Sequence, residues 1–112
     1  MNKINICGVH YRIMEVDEIP PENKGELIQG DITYHTGIIQ LRKDMPEEIK
    51  RQTLIHEWVH GMFVMIGRDD LSGDETLVQN IALAINNTFE VKDNDNFCTC
   101  GADMQTKENS NG

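Results

Sequence analysis

The segment from Thr53 to Ile66 constrains this chain more than any other, because it is apolar on nearly every side of a helix yet carries His56, Glu57 and His60 in its middle. On a 3.6-residue wheel Ile55, Val59, Met62 and Ile66 form one apolar stripe, while Leu54, Trp58 and Met65 cover a second sector. A helix with two apolar sectors has to be largely buried. Burying a histidine pair and a carboxylate without partners costs roughly several kcal/mol, so the helix needs something that engages all three. A cation does so.

His56 and His60 stand four residues apart. They therefore project from one helix face a turn apart and can offer two imidazole nitrogens to a single tetrahedral ion, a spacing that suits zinc. Glu57 lies about 100° further round the helix, in reach of a water molecule beside the ion rather than the ion itself, which fits a general base. A chance occurrence of the pattern is the alternative; its mid-helix, apolar setting argues against it. A catalytic zinc site also takes a third protein ligand. Glu75 is the first candidate, since it opens a second helix whose same face carries Gln79, Ala82 and Asn86. Two alternatives stay open. Ser72-x-x-Glu75 has capping-box spacing, which would make Glu75 the N3 carboxylate of the helix, and Asp74 or Asp70 could ligate instead.

The remaining pattern predicts an α+β domain over residues 1–91: a small, mostly antiparallel sheet packed on the histidine-bearing helix and on the second helix. Lys3–Cys7 and Tyr11–Val16 read as strands joined at Gly8, and Pro20, Pro21, Asn23 and Gly25 mark an irregular connection. Ile32–Tyr34 and Gly37–Leu41 read as a hairpin. Asp44, Pro46, Glu47 and Glu48 announce the first helix, which the pattern carries to Gly67; the polar Arg68, Asp69 and Asp70 close it. The second helix runs from Ser72 to about Phe89 with Val78, Ile81, Ile85 and Phe89 as its core face. From 92 to 112 few side chains repay the entropy of ordering, so a flexible polar tail is expected there.

Charge excludes one class of partner. Ten basic against nineteen acidic residues leave a net charge of −9, which repels phosphate backbones and disfavours direct nucleic-acid binding. No apolar run is long enough to span a bilayer. An odd number of cysteines and an N-terminus without a leader pattern lead to the expectation of a reducing, cytoplasmic setting, with Cys98 and Cys100 as free thiols in the tail. Asp69, Asp70 and Asp74 lack the ligand spacing of a calcium loop.

A strand hairpin, then Thr53-Leu54-Ile55-His56-Glu57-Trp58-Val59-His60, a short loop and Asp74-Glu75-Thr76-Leu77-Val78 resembles the gluzincin metallopeptidases, and most of all the compact, phage-type ImmA/IrrE-like peptidases. The likeness covers roughly residues 30 to 89. It implies a Zn2+ cofactor held by His56, His60 and Glu75, hydrolysis of a peptide bond with Glu57 as the catalytic base, and a protein or peptide substrate, a transcriptional repressor in many relatives. It also implies that the strand before the zinc helix, Ile38, Ile39, Gln40 and Leu41, pairs with extended substrate. Tyr34 and His35, at the end of the first hairpin strand, are candidate donors to an oxyanion, although a turn tyrosine and a solvated histidine account for them more simply. The competing expectation is a non-catalytic binding module that keeps zinc as a structural element and acts by occupying a host protein.

Overall fold

The computed structural model describes residues 2–20 and 28–89. The tail expected from 92 onward, with Cys98 and Cys100, lies outside those residues, as does the end of the expected domain. Four strands form one sheet: β1 Lys3–Ile6, β2 Val9–Val16, β3 Gly30–Thr33 and β4 Ile38–Arg42, in the order β1-β2-β4-β3. Alternation along the strands sends Ile6, Tyr11, Ile39 and Leu41 to the same face. The β1–β2 turn at Cys7 and Gly8 has both residues at positive φ, 51° and 93°, and the Asn5 side chain accepts the Gly8 N–H at 2.7 Å.

Two of the three strand pairings are antiparallel, as expected, but β2 and β4 run parallel between them, which makes the sheet mixed. The connection that follows β2 carries the chain past the β4 position to the far edge. β3 then leads back into β4, which comes to lie beside β2 in the same direction. A second correction follows directly. β4 is paired along Ile38–Arg42 with β2 on one side and along Ile38–Leu41 with β3 on the other, so it has no free edge for a peptide. The edge beside β4 is that of β3, as β1 forms the other edge of the sheet: among the described residues no strand pairs with the outer side of β3.

Helix α1, Glu47–Met65, is sandwiched between the sheet and α3, Glu75–Thr88. Leu54 joins the sheet residues in one core; Ile55, Val59 and Phe63 join Val78 and Ala82 of α3 in another. That double burial is why the sequence is apolar on two sectors. Lys50, buried at the start of α1, reaches Glu15 of β2 at 2.8 Å and ties helix to sheet. Gly61 permits the close approach, since a Cβ there would meet Ile6 Cδ1 at 2.8 Å and Ile32 Cδ1 at 3.1 Å.

The helix ends differ from the expected ones. Asp44 does not cap α1; Arg42 holds its carboxylate at 2.7 and 3.2 Å, and Pro46 occupies the cap position. Gly67, at φ 81°, stops α1 in a Schellman turn, with Gly67 N–H donating to the Val64 carbonyl and Arg68 N–H to that of Phe63. Ile66 and Met65 thus fall in or next to the terminating turn and are 55% and 38% exposed, whereas Phe63, outside both expected sectors, is buried. Where the sequence suggests only a polar loop, Asp69–Ser72 forms a single helical turn, α2. Phe89 lies beyond α3 and is exposed; Ala82 fills the core in its place. None of the helices among the described residues is long and apolar enough to cross a membrane.

This packing predicts opposite outcomes at two apolar positions of one helix. Leu54→Ala, at a fully buried site, should lower unfolding free energy by about 2–5 kcal/mol. Ile66→Ala should change it by less than about 0.5 kcal/mol, both read from urea denaturation.

Candidate metal centre

α1 presents His56 and His60 on the face turned toward α3. The Schellman turn and the short α2 reverse the chain, and Asp74 then starts α3 with its carboxylate accepting the Leu77 N–H at 3.1 Å. Asp74, not Ser72, is therefore the N-cap, and Glu75 is the first helical residue rather than the N3 member of a capping box. Its carboxylate is left free to point back at α1. Glu75 Oε1 lies 3.2 Å from His56 Nε2 and Oε2 lies 3.2 Å from His60 Nε2. The three candidate ligand atoms lie within 4.8 Å of one another, close enough to hold one metal ion. Neither alternative donor joins them: Asp74 is spent on the cap, and Asp70 is paired with Arg68 at 2.8 and 3.0 Å.

The other ring nitrogens set the protonation pattern. His56 Nδ1 lies 2.8 Å from Gln79 Oε1, an acceptor, so Nδ1 carries the proton and donates. Ser72 Oγ donates to the His60 backbone carbonyl at 3.3 Å, which leaves its lone pairs to accept from His60 Nδ1–H at 3.2 Å. With Nδ1 donating, each ring turns its Nε2 toward the Glu75 oxygens, and in the neutral ring that nitrogen offers a lone pair. Two lone pairs aimed at a carboxylate repel it unless a cation or protons lie between them, and an N, N, O donor set of this kind suits a divalent ion. Among the described residues no further His, Cys, Asp or Glu joins the cluster.

No protein-family model, curated protein or solved structure matches this chain. What the site can do is therefore read from its own geometry.

Glu57 stays out of the donor set, as its helix position requires. It is buried, and no hydrogen bond or ion pair engages it among the described residues. Burial first, then the charges of Asp31 and Glu75, pushes its carboxyl up to about 8. A cation on the neighbouring donors acts in the opposite direction. Glu57 and His56 line a cleft of about 340 Å³ together with Ile28, Gly30, Ile49, Gln52, Thr53 and Gln79.

Tyr34 lies at the turn after β3 with its hydroxyl hydrogen-bonded to Ser72, which brings it to the rim of the His60 side; burial raises its pKa, partly opposed by that bond. His35 sits exposed in the same turn and is not drawn into the cluster. Of the polar strip on α3, Gln79 reaches His56, Asn86 instead accepts from Arg51 at 3.1 Å, and Ala82 packs in the core. The role of Ser72 is absent from the sequence pattern, because its capping-box spacing points to a different use and α2 is what turns it toward His60.

Gln79→Leu and Ser72→Ala should each weaken affinity for a divalent metal ion by about 10–100-fold, measured by competition with a chromophoric chelator. Asp74→Ala should leave that affinity near wild type while costing about 1 kcal/mol of stability.

Proposed function

We propose that this chain is a zinc-dependent peptidase of the gluzincin, ImmA/IrrE-like kind, with His56, His60 and Glu75 as the metal ligands. The observation that carries this reading is the convergence of two Nε2 atoms and one carboxylate beside a buried, unpartnered Glu57 that lines a cleft. Two imidazoles and a carboxylate are a donor set that zinc favours. When bound, zinc supplies Lewis-acid chemistry, polarising a carbonyl and acidifying water. The buried, unpartnered Glu57 beside the three donors favours hydrolysis over the competing reading of a structural zinc in a binding module, which needs no base there.

The protein's own groups divide the work. Glu57 takes a proton from the attacking water and returns it to the leaving amine. Gln79 and Ser72 hold the two imidazoles in the tautomer that leaves Nε2 free. The Tyr34 hydroxyl, at the rim beside Ser72, exchanges its bond to Ser72 for one to the oxyanion that forms at the scissile carbonyl. Extended substrate adds to the open edge of β3, since β4 is occupied on both sides. A cytoplasmic protein, such as a transcriptional repressor, is the substrate that the family resemblance suggests.

Glu57→Gln separates binding from chemistry. Zinc stoichiometry, measured by atomic emission on purified protein, should stay close to wild type, while hydrolysis of a cleaved protein or peptide should fall by about 10² or more. His60→Ala should lose the zinc and lower the melting temperature of zinc-saturated samples. Full activity in zinc-loaded Glu57→Gln would rule out the peptidase reading.

A further inference from the structure

Helical geometry lays out the floor of the cleft beside the metal donors. Ile49, Thr53 and Glu57 recur every four residues along α1, as do Gln52 and His56, so the two rows lie side by side. Thr53 and Gln52 therefore stand four residues, about 6 Å of helix rise, toward the N-terminus from Glu57 and His56. A substrate residue next to the scissile bond is within reach of both.

Thr53 is a polar group of this floor that the fold leaves unused. It is only 9% exposed, and among the described residues no hydrogen bond engages its hydroxyl. Its methyl is packed on β3, where a Cβ at Gly30 would collide with Thr53 Cγ2, so the residue is held by the branch that carries no polar atom. A buried hydroxyl without a partner costs stability; in the wall of a cleft its partner arrives with the ligand. Gln52, exposed beside it, and Gln29 also line the cleft, and their side-chain amides are likewise unengaged among the described residues. Ile28 and Ile49 belong to neither core cluster and offer apolar contact to the stem of an incoming side chain.

Charge narrows what can enter. No lysine or arginine lines the cleft, and the cations of α1 are engaged elsewhere, Lys50 by Glu15 and Glu47 and Arg51 by Asn86. An acidic side chain thus finds no basic partner there and meets Glu57 instead. A Lys or Arg side chain would pair with Glu57 and occupy the base. An aliphatic one would dehydrate the Thr53 hydroxyl without replacing its water. A carboxamide carries no charge, both donates and accepts, and so matches a hydroxyl and an amide together. We propose that the cleft is a subsite for an Asn or Gln side chain of the substrate, selected by hydrogen bonds to Thr53 and Gln52. The inference rests on the peptidase reading for the place of the scissile bond, and adds the class of residue beside which a polypeptide is cut.

The test uses the zinc-loaded chain and synthetic decapeptides of randomised sequence in which one central position is fixed as Asn, Gln, Leu, Met, Glu or Lys. Cut sites are read by mass spectrometry, and retention of the same peptides is measured on immobilised protein. Leu and Met are close in shape to Asn and Gln but lack the amide. Wild type should cut beside Asn or Gln about 10-fold or more faster than beside Leu or Met, the scale of leaving a buried polar group unpaired. Thr53→Val keeps the branched shape and removes the hydroxyl, so it should lose most of that preference while still cutting. Gln52→Met, at an exposed site, should lose part of it with an unchanged melting temperature. Cleavage without preference for Asn or Gln, or a preference unchanged in both variants, overturns the inference and leaves hydrolysis standing. Retention that favours Asn and Gln and falls in Thr53→Val, with no peptide cut, supports the subsite and removes hydrolysis. If nothing is cut and retention shows no such preference, both fall.

Discussion

Two imidazole nitrogens of one helix, each 3.2 Å from an oxygen of a carboxylate on the facing helix, are the contact around which the rest of this protein is arranged. Coulombic cost makes the arrangement informative. Gln79 and Ser72 occupy both Nδ1 positions, so the neutral rings meet Glu75 with Nε2 lone pairs. A cation turns that mutual repulsion into attraction among all three groups. Because the donors come from the middle of α1 and the first residue of α3, a bound ion also clamps the two helices that share the second half of the core. Metal binding and folding are then linked in one equilibrium.

Backbone features well outside the cluster make the contact possible. The Schellman turn at Gly67 ends α1 one turn beyond His60 and sends the chain back, and α2 adds the single turn that delivers Ser72 to the His60 ring. Asp74 caps α3 and thereby releases Glu75 from capping. Arg51 with Asn86 at one end and His60 with Glu75 at the other hold α3 antiparallel to α1. On the opposite side, Gly61 lets α1 settle against Ile6 and Ile32 of the sheet, which leaves Glu57 deep in the gap between helix and β3.

Much of this was legible in the chain, for physical reasons that differ from residue to residue. His56, Glu57 and His60 could be read because a single helix carries them and helical geometry is local. The burial of α1 could be read because its apolar residues fill two sectors of the wheel. Glu75 was legible only as one of several acidic candidates, since the choice between cap and ligand turns on whether Ser72 or Asp74 starts the helix, a difference of two positions that tertiary packing decides. The two antiparallel pairs were legible from the turns that join them, but the order in which they combine was not. Whether β4 lies at an edge or in the interior depends on how the chain after β2 crosses the sheet, and neither β-propensity nor alternation encodes that path. The unpaired edge on that side of the sheet is consequently that of β3 and not of β4.

The central claim is that Nε2 of His56 and of His60 face Glu75 without protons and share one ion. Long-range 1H–15N correlation spectra of the histidine rings, recorded as zinc is titrated into metal-free protein, test it most directly. The account predicts that His56 and His60 are protonated at Nδ1 in the zinc-loaded protein, and that both Nε2 resonances shift until one equivalent is bound while His10 and His35 stay unchanged. Nε2–H protons persisting on either ring at saturating zinc, with Glu75 as their acceptor, would contradict it.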